Sequence, residues 1–286
     1  MGIKYLNRYL LNKCRKSSIH RISLQYLTGK TIVIDTFIYI YKYLGEDRLI
    51  ENMHQLVTTL VRYNVTPIFI FDGKPPQEKK ELLLQRREKK KEAENKYREI
   101  IEQIESGLED HTNNLDSQLA CLKKQFLKVD YGHIQMVKSI LREYNIEMID
   151  APGESDELCV QYVKSNRAWA CLSDDMDMFV YGATRVLREL SLTNQSVELY
   201  NLPAILGDLN MSMKTFRQIM VLSGTDYNIH DNVSLNESLK WYYEYKKYGQ
   251  RQVSTRCMDF YDWLRKYTKY IQDYDRLMVV YHIFDV

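Results

Sequence analysis

The chain has 286 residues, 45% of them hydrophobic, enough to bury one large core or two smaller ones. A formal net charge of +2 excludes any argument for a nucleic-acid partner from bulk basicity, so the distribution of charge has to carry that question. The five cysteines (Cys14, Cys121, Cys159, Cys171, Cys257) are scattered and odd in number with no Cys-x-x-Cys pair, which argues against a disulfide framework or a zinc site and fits a reducing, intracellular compartment, nucleus and cytoplasm not being distinguished.

The start, Met1-Gly2-Ile3-Lys4-Tyr5-Leu6, carries no signal-peptide pattern, and Leu6 stands where a myristoylation signal needs Ser or Thr. No apolar run is long enough to span a bilayer, so no membrane is expected. Residues 3–13 pattern as a short amphipathic helix with Ile3, Leu6, Leu10 and Leu11 on one side. Residues 31–35 read as the first central strand. Ile50, Met53, Leu56, Val57, Leu60 and Val61 then recur at helical spacing, and residues 68–71 read as a strand. Strand, helix and strand in succession favour parallel pairing.

Composition changes after Asp72-Gly73-Lys74-Pro75-Pro76. From Lys74 to Glu99 there are ten Lys/Arg and six Asp/Glu. Mixed charge of this kind usually marks a solvated helix. Here, however, Arg86-Arg87-Glu88-Lys89-Lys90-Lys91 follows closely on a strand-end acid. Residues 106–117 read as a flexible connection, so 77–128 is expected to project from the sheet as helical material. Asp130 is an N-cap for a helix carrying Ile134, Val137, Ile140 and Leu141. Strand 147–151, helix 154–165 and strand 169–173 repeat the parallel pattern, and 185–190 with 197–200 flank a hairpin turn at the sheet edge. A helix over 213–222 follows Ser212. The rest reads as mostly helical, and tyrosine, at 23 residues, is common throughout.

Acids arrive where the apolar runs end. Ile32-Val33-Ile34 meets Asp35, Ile68-Phe69-Ile70-Phe71 meets Asp72, and Met148-Ile149 leads to Asp150-Ala151-Pro152-Gly153-Glu154-Ser155-Asp156. Trp169-Ala170-Cys171-Leu172 leads to Ser173-Asp174-Asp175-Met176-Asp177. Asp175 and Asp177 are two apart, so extended backbone points them to one side. Acids also close strands in ordinary turns, and a lone Asp-Met-Asp would be read that way. Recurrence changes the reading, because the carboxyl ends of parallel strands form one edge, where open α/β sheets bind ligands. With Asp226 the cluster is Asp35, Asp72, Glu154, Asp156, Asp175, Asp177 and Asp226. So many carboxylates cannot all stay ionised side by side without cations. Oxygen ligands with no His or Cys select hard ions, two Mg²⁺ or Mn²⁺. Two such ions ~3.5–4 Å apart clamp a phosphodiester, activating water on one side and stabilising the leaving oxygen on the other. Gly-x-x-x-x-Gly-Lys-Ser/Thr, Gly-x-Gly-x-x-Gly and Gly-x-Ser-x-Gly are all absent. An aspartyl-phosphate phosphatase would want Asp-x-Asp after the first strand, where this chain has Asp35-Thr36-Phe37.

The chain resembles the flap endonuclease family of structure-specific 5′ nucleases. The resemblance rests on Met1-Gly2-Ile3, Ile32-Val33-Ile34-Asp35, Phe71-Asp72-Gly73-Lys74-Pro75-Pro76, Ala151-Pro152-Gly153-Glu154-Ser155-Asp156, Ser173-Asp174-Asp175-Met176-Asp177 and Ser223-Gly224-Thr225-Asp226-Tyr227, in the family's order and near its spacing. It covers residues 1–227 well and the remainder poorly. It implies a PIN-like α/β fold: a central, mostly parallel twisted sheet flanked by helices, with a helical gateway and cap and a helical C-terminal region. The expected organisation is an N-terminal nuclease region over 1–105, a helical cap over 106–129, an internal nuclease region over 130–227 and a divergent duplex-binding region over 228–286, all one globular unit.

The resemblance further implies that the seven acids hold two divalent metals, with Asp156 standing where the family usually has Glu. Lys79 and Arg86 match basic residues that reach the scissile phosphate; seven apart, they span about two helical turns and share a face. Tyr41 matches a tyrosine that stacks on a nucleobase, and Gly2 a glycine close to the metals. Arg87, Lys89 and Lys90 extend the basic gateway toward nucleic acid. The implied substrate is branched or nicked DNA with 5′ single-stranded ends, cut in replication, repair or recombination to leave a 5′-phosphate and a 3′-hydroxyl. The alternatives are an inactive or RNA-directed relative that binds branched nucleic acid, or a metal-dependent phosphatase acting on a small substrate. No sliding-clamp peptide is seen before Val286, and the sequence leaves oligomeric state open. After Asp226 the pattern breaks: no glycine occurs between Gly224 and Gly249. The family's phosphate-holding hairpin, with its monovalent cation, is therefore not expected in its usual form. Ser234 caps a helix with Leu235, Leu239 and Tyr242, and duplex grip passes to Lys240, Lys246, Lys247 and Arg251.

Overall fold

The computed structural model describes residues 3–106, 113–228, 234–251 and 258–285. The chain opens with α1 (Leu6–Lys13) and an edge strand β1 (Ile19–Ser23). Next come β2 (Thr31–Asp35), α2 (Thr36–Leu44), α3 (Leu49–Arg62) and β3 (Thr66–Phe71). The projection is α4 (Lys80–Glu105) with α5 (Asn113–Gln125). The sheet resumes through α6 (Tyr131–Glu143), β4 (Glu147–Asp150), α7 (Ser155–Lys164), β5 (Ala170–Leu172), α8 (Asp177–Tyr181), β6 (Arg185–Ser191) and β7 (Ser196–Asn201). The chain closes with α9 (Leu202–Leu209), α10 (Met213–Leu222), α11 (Leu235–Arg251), α12 (Phe260–Tyr267) and α13 (Tyr274–Ile283).

Seven strands form one sheet in the order β1-β7-β6-β5-β2-β3-β4. The pairs β2–β3, β2–β5, β3–β4 and β5–β6 are parallel, while β7 is antiparallel to both β1 and β6. The order runs outward one way through β3 and β4 and the other way through β5 and β6, so the switch point lies between β2 and β5. Alternation along the strands loads both faces. Ile32, Ile34, Phe69 and Phe71 pack with Tyr39, Ile40, Met53, Leu56, Leu60, Val137 and Leu141 on one side. Val33, Ile68 and Ile70 pack with Leu6, Leu10, Val160, Val163 and the later helices on the other. Burial on both faces is why the central strands read as continuous apolar runs.

The expected α/β architecture is present, and several expected boundaries move. Residues 113–117 belong to α5 rather than to a flexible connection; residues 107–112 lie outside the described residues. Residues 36–44, given no element in the sequence, are helical, although Phe37-Ile38-Tyr39-Ile40-Tyr41 is rich in strand formers. The turn out of β2 and burial of Tyr39, Ile40 and Tyr43 against the sheet override that propensity. β1 carries no apolar strand run in the sequence, because His20, Arg21 and Ser23 leave this edge strand only two buried residues. No helix among the described residues is long and apolar enough to cross a membrane.

Candidate active site

The switch point places Asp35 at the end of β2 beside the loop that follows β5. Both Asp35 oxygens accept from hydroxyls, Ser155 Oγ and Ser173 Oγ, each at 3.2 Å. Burial, and then the charges of Asp72 and Asp175, push the Asp35 carboxyl up to about 7. Asp72 follows β3 and accepts from the Ser155 backbone N–H at 2.8 Å. It therefore caps α7 from a neighbouring strand, which the side chain of the N-cap residue Glu154 does not do. Gly73 makes this approach possible: its N–H donates to the Gly153 carbonyl at 2.7 Å, and a Cβ there would fall 2.0 Å from the Ala151 carbonyl oxygen.

Asp175 and Asp177 come together by a route different from the expected one. Asp175 lies beyond β5, and Asp177 opens α8, so strand alternation does not apply. The chain instead turns sharply: Asp175 N–H donates to Ser173 Oγ at 3.1 Å, and Asp177 N–H donates to Asp175 Oδ1 at 3.0 Å. Asp177 Oδ1 is buried and finds no donor among the described residues. Burial, then Asp175 and Asp226, hold the Asp177 carboxyl well above the usual carboxylate range. Burial, with Asp35 and Asp175 next, does the same to Asp156. Asp174 belongs elsewhere, since its Oδ1 accepts from Glu189 N–H and its carbonyl from Arg188, fixing β6.

Asp226 sits in the loop after α10. Gly224 turns the backbone at φ +91°, and buried Asn228 accepts from Thr225 N–H and Oγ1 at 2.7 and 2.6 Å while donating to the Val221 carbonyl. The loop thus delivers Asp226 and Tyr227 beside Glu154. Two cations reach in from the projection. Lys79 Nζ lies 2.6 Å from Glu154 Oε1 and 4.0 Å from Asp226 Oδ2, and Arg86 Nη2 lies 2.7 Å from Asp226 Oδ2. Burial pulls the Lys79 ammonium down, but Glu154, Asp156 and Asp226 outweigh it and leave its pKa raised. Lys79 ends a short 3-10 turn (Gln77–Lys79) before α4, so the expected single helical face carries Arg86 but not Lys79. Tyr227 donates its hydroxyl to Glu154 Oε2. Burial, then Tyr181 and Glu154, push this phenol up, so it remains a proton donor.

The structure therefore brings Asp35, Asp72, Glu154, Asp156, Asp175, Asp177 and Asp226 to one edge together with Lys79 and Arg86. Tyr41 and Arg87 line an adjoining cavity of ≈ 1130 Å³ with Ile38, Leu83, Leu84 and Lys90. Lys90 already has partners, donating to the Leu127 carbonyl at 2.9 Å and lying 5.3 Å from the Tyr41 ring centroid. Lys89 is exposed on α4 and is not among the residues lining this cavity. Lys240, Lys246 and Lys247 lie on α11; Lys247 pairs with Glu244 at 2.8 Å, and Lys246 lies over the Tyr242 ring. Gly2 and the side chain of Arg251 fall outside the described residues. Reading only the acids missed Ser155, Ser173, Tyr227 and Asn228. The first three stand inside the motifs already singled out, so a polar side chain beside each acid was the available signal.

Among the described residues, no three His, Cys, Asp or Glu side chains are already set around a single ion position. Lys79 and Arg86 are paired with two of the acids, Glu154 and Asp226. The donor chemistry nevertheless fits hard divalent cations: all the donors are carboxylate oxygens, one buried oxygen is unpartnered, and the acids raise one another's proton affinity.

The XPG N-terminal domain model matches residues 1–93, and the XPG I-region model matches residues 145–226. Flap endonuclease 1 of Methanococcus aeolicus is 30% identical over 227 residues, 73% of this chain and 66% of its own length. Flap endonuclease 1 of Methanocaldococcus jannaschii is 29% identical over 265 residues, 87% of this chain and 78% of its own. Flap endonuclease 1 of Glycine max is 30% identical over 246 residues, 79% of this chain and 62% of its own. The matched part thus spans about two thirds of the length of several relatives. Among solved structures, the catalytic core of Rad2 in complex with DNA substrate superposes with TM-score 0.68 at 21% identity, covering 99% of this chain and 86% of that one. The flap endonuclease-1 from Methanococcus jannaschii gives 0.64 at 24%, covering 99% and 84%.

Proposed function

We propose that this chain, which belongs to the flap endonuclease family, is a structure-specific 5′ nuclease that hydrolyses DNA phosphodiesters with the help of divalent cations. One observation carries the reading. Seven carboxylates from four strand ends and the loop after α10 meet at the switch point of the sheet, and two basic side chains, Lys79 from the turn before α4 and Arg86 from α4 itself, reach into them. Such a site has no use for a neutral ligand, while a phosphodiester with its counterions complements both charges.

In this reading Asp35, Asp72, Glu154, Asp156, Asp175, Asp177 and Asp226 hold two Mg²⁺ or Mn²⁺, with Asp35 fixed by Ser155 and Ser173. The ions, when bound, lower the pKa of water and offset charge on the leaving oxygen. Lys79 and Arg86 exchange their carboxylate partners for phosphate oxygens and stabilise the charge that grows in the transition state. Tyr41, 41% exposed and lining the adjoining cavity, offers a ring for an unpaired base. The projection over residues 77–128 admits the single strand, and cutting falls near its junction with duplex. The preferred partner is branched or nicked DNA with a 5′ single-stranded end.

The test is cleavage of labelled 5′-flap, nicked, gapped and blunt duplexes, and of an RNA flap, in Mg²⁺. The reading expects cutting near the junction of the 5′-flap DNA, leaving 5′-phosphate. Binding without cutting under any divalent ion would instead mean an inactive scaffold, and preferential cutting of the RNA flap an RNA-directed enzyme.

A further inference from the structure

Tyr227 is the residue after the last matched acid, and it touches both members of the Lys79–Glu154 pair at the site. Its hydroxyl donates to Glu154 Oε2, while Glu154 Oε1 takes Lys79 Nζ at 2.6 Å. The same ammonium lies 4.8 Å from the centroid of the Tyr227 ring. Behind Tyr227 stands Tyr181, with its hydroxyl 3.0 Å from that of Tyr227. A phenol has one proton, and that of Tyr227 goes to Glu154, so Tyr181 is the donor in the rear bond. The order is fixed: Tyr181 donates to Tyr227, which donates to Glu154.

This relay is propped by the end of the chain. Phe284, fully buried, packs against Tyr181 with ring centroids 4.6 Å apart and meets Tyr227 edge-on at 5.4 Å. Its neighbour Asp285 pairs with buried Arg217, whose Nε donates to the Val180 carbonyl at 3.1 Å, next to Tyr181. Arg276 at the start of α13 lies 3.8 Å from Glu81 on α4, the helix that follows Lys79. The last helix is therefore built against the back of the acid edge.

We propose that Tyr227 is a positioning residue: it holds Glu154 in place by a hydrogen bond independent of Lys79, so that Lys79 can leave for a phosphate while the carboxylate stays. Tyr181 and Phe284 hold Tyr227 in turn. The inference rests on the nuclease reading above. Without the hydroxyl, Lys79 is the remaining donor on Glu154, and cation and carboxylate serve each other instead of substrate and metal. Partners of this kind, one step behind a metal-binding carboxylate, typically contribute about 10–100-fold in metal affinity or activity.

The experiment compares wild type, Tyr227→Phe, Tyr181→Phe, Lys79→Ala and the Lys79→Ala/Tyr227→Phe double variant. Mn²⁺ binding to the DNA-free protein is read by EPR, and single-turnover cleavage of a 5′-flap is read at saturating enzyme. Tyr227→Phe keeps the ring against Phe284 and Lys79, so it should fold and bind the flap as wild type does, its melting temperature lowered only by the lost hydrogen bonds. The expected result is Mn²⁺ affinity and cleavage rate each down about tenfold, the low end for such partners. Tyr181→Phe should move both the same way by less. The Tyr227→Phe and Lys79→Ala effects on rate should be non-additive, since they act through one carboxylate. Wild-type Mn²⁺ affinity and rate in Tyr227→Phe would overturn the proposal, as would strict additivity. If Tyr227→Phe fails to fold, an unchanged Tyr181→Phe overturns it instead. A wild-type protein that neither binds Mn²⁺ nor cuts overturns the nuclease reading and this inference with it; a cutting wild type with an indifferent Tyr227→Phe overturns this inference alone.

Discussion

Two lysines in this chain make ion pairs of almost the same length. Lys79 meets Glu154 at 2.6 Å on the acid edge, and Lys247 meets Glu244 at 2.8 Å on α11. The first lysine is 9% exposed and the second 58%. Distance alone therefore says little, and the solvent around each pair decides what it does. On α11, water already satisfies both charges, and a pair three residues apart is worth about 0.5 kcal/mol or less. At the acid edge the charges are desolvated, and stripping one partner from such a pair typically costs about 3–5 kcal/mol. Lys79 also faces an excess of carboxylates, so its removal leaves repulsion as well as an unpaired charge. An edge assembled in this way is tense without cations, whereas α11 is indifferent to them.

Substitutions can break or sharpen that contrast. The largest effect is expected at the acids: Asp175→Asn or Asp72→Asn should abolish flap cleavage while preserving or strengthening DNA binding, because repulsion between acid and phosphate falls. A gel-shift assay beside single-turnover cleavage reads both. Lys79→Ala and Arg86→Ala come next. Each should lower the single-turnover rate by about 100-fold with little change in affinity, the usual scale for losing one transition-state charge contact. Affinity loss with an intact saturated rate would reduce them to backbone contacts like those expected of α11.

The tension should also appear in stability. The Asp35 carboxyl rises from 3.8 to about 7 on folding, and Asp156 and Asp177 shift the same way. The folded state therefore binds more protons than the unfolded one between those values, and stability must fall as pH rises through that window. For the metal-free protein, thermal melts should decline by several degrees as pH rises from about 4.5 to 7, and Asp177→Asn should raise the melting temperature at pH 7.5. Mg²⁺ should raise it more at pH 7.5 than at pH 5. A melting temperature that climbs with pH across the window contradicts the burial of these acids. The smallest effect belongs to α11. Lys247→Ala should leave cleavage and stability essentially unchanged and, if the lysine meets a duplex phosphate, lower the salt slope of binding by about one.

The part of the site written in the sequence is the part that depends on local order. Ile32-Val33-Ile34 and Ile68-Phe69-Ile70-Phe71 are continuous apolar runs because helices cover both sheet faces, and the acids that end them mark the carboxyl edge. Contacts made across long stretches of chain were not legible. Lys79 and Glu154 are 75 residues apart, and Tyr227 and Glu154 are 73 apart; no spacing rule links them. Lys79 was expected to face a phosphate, and its pairing with the acids follows from the same excess negative charge that made the acids conspicuous. Asp175 and Asp177 were placed together for the wrong local reason, since a side-chain turn begun by Ser173 replaces the extended backbone. β1 and α2 went unassigned where edge exposure blurred one pattern and tertiary packing overrode the propensity of the other.

On the proposed reading the buried acids work through divalent cations on a phosphodiester. The most direct test is the single-turnover rate of 5′-flap cleavage titrated with Mg²⁺ from excess EDTA upward, for wild type and Asp175→Asn in parallel. The account predicts no cutting in EDTA, a saturable rise for wild type and no rise for Asp175→Asn. Full cleavage in excess EDTA, or a wild-type response from Asp175→Asn, would contradict it.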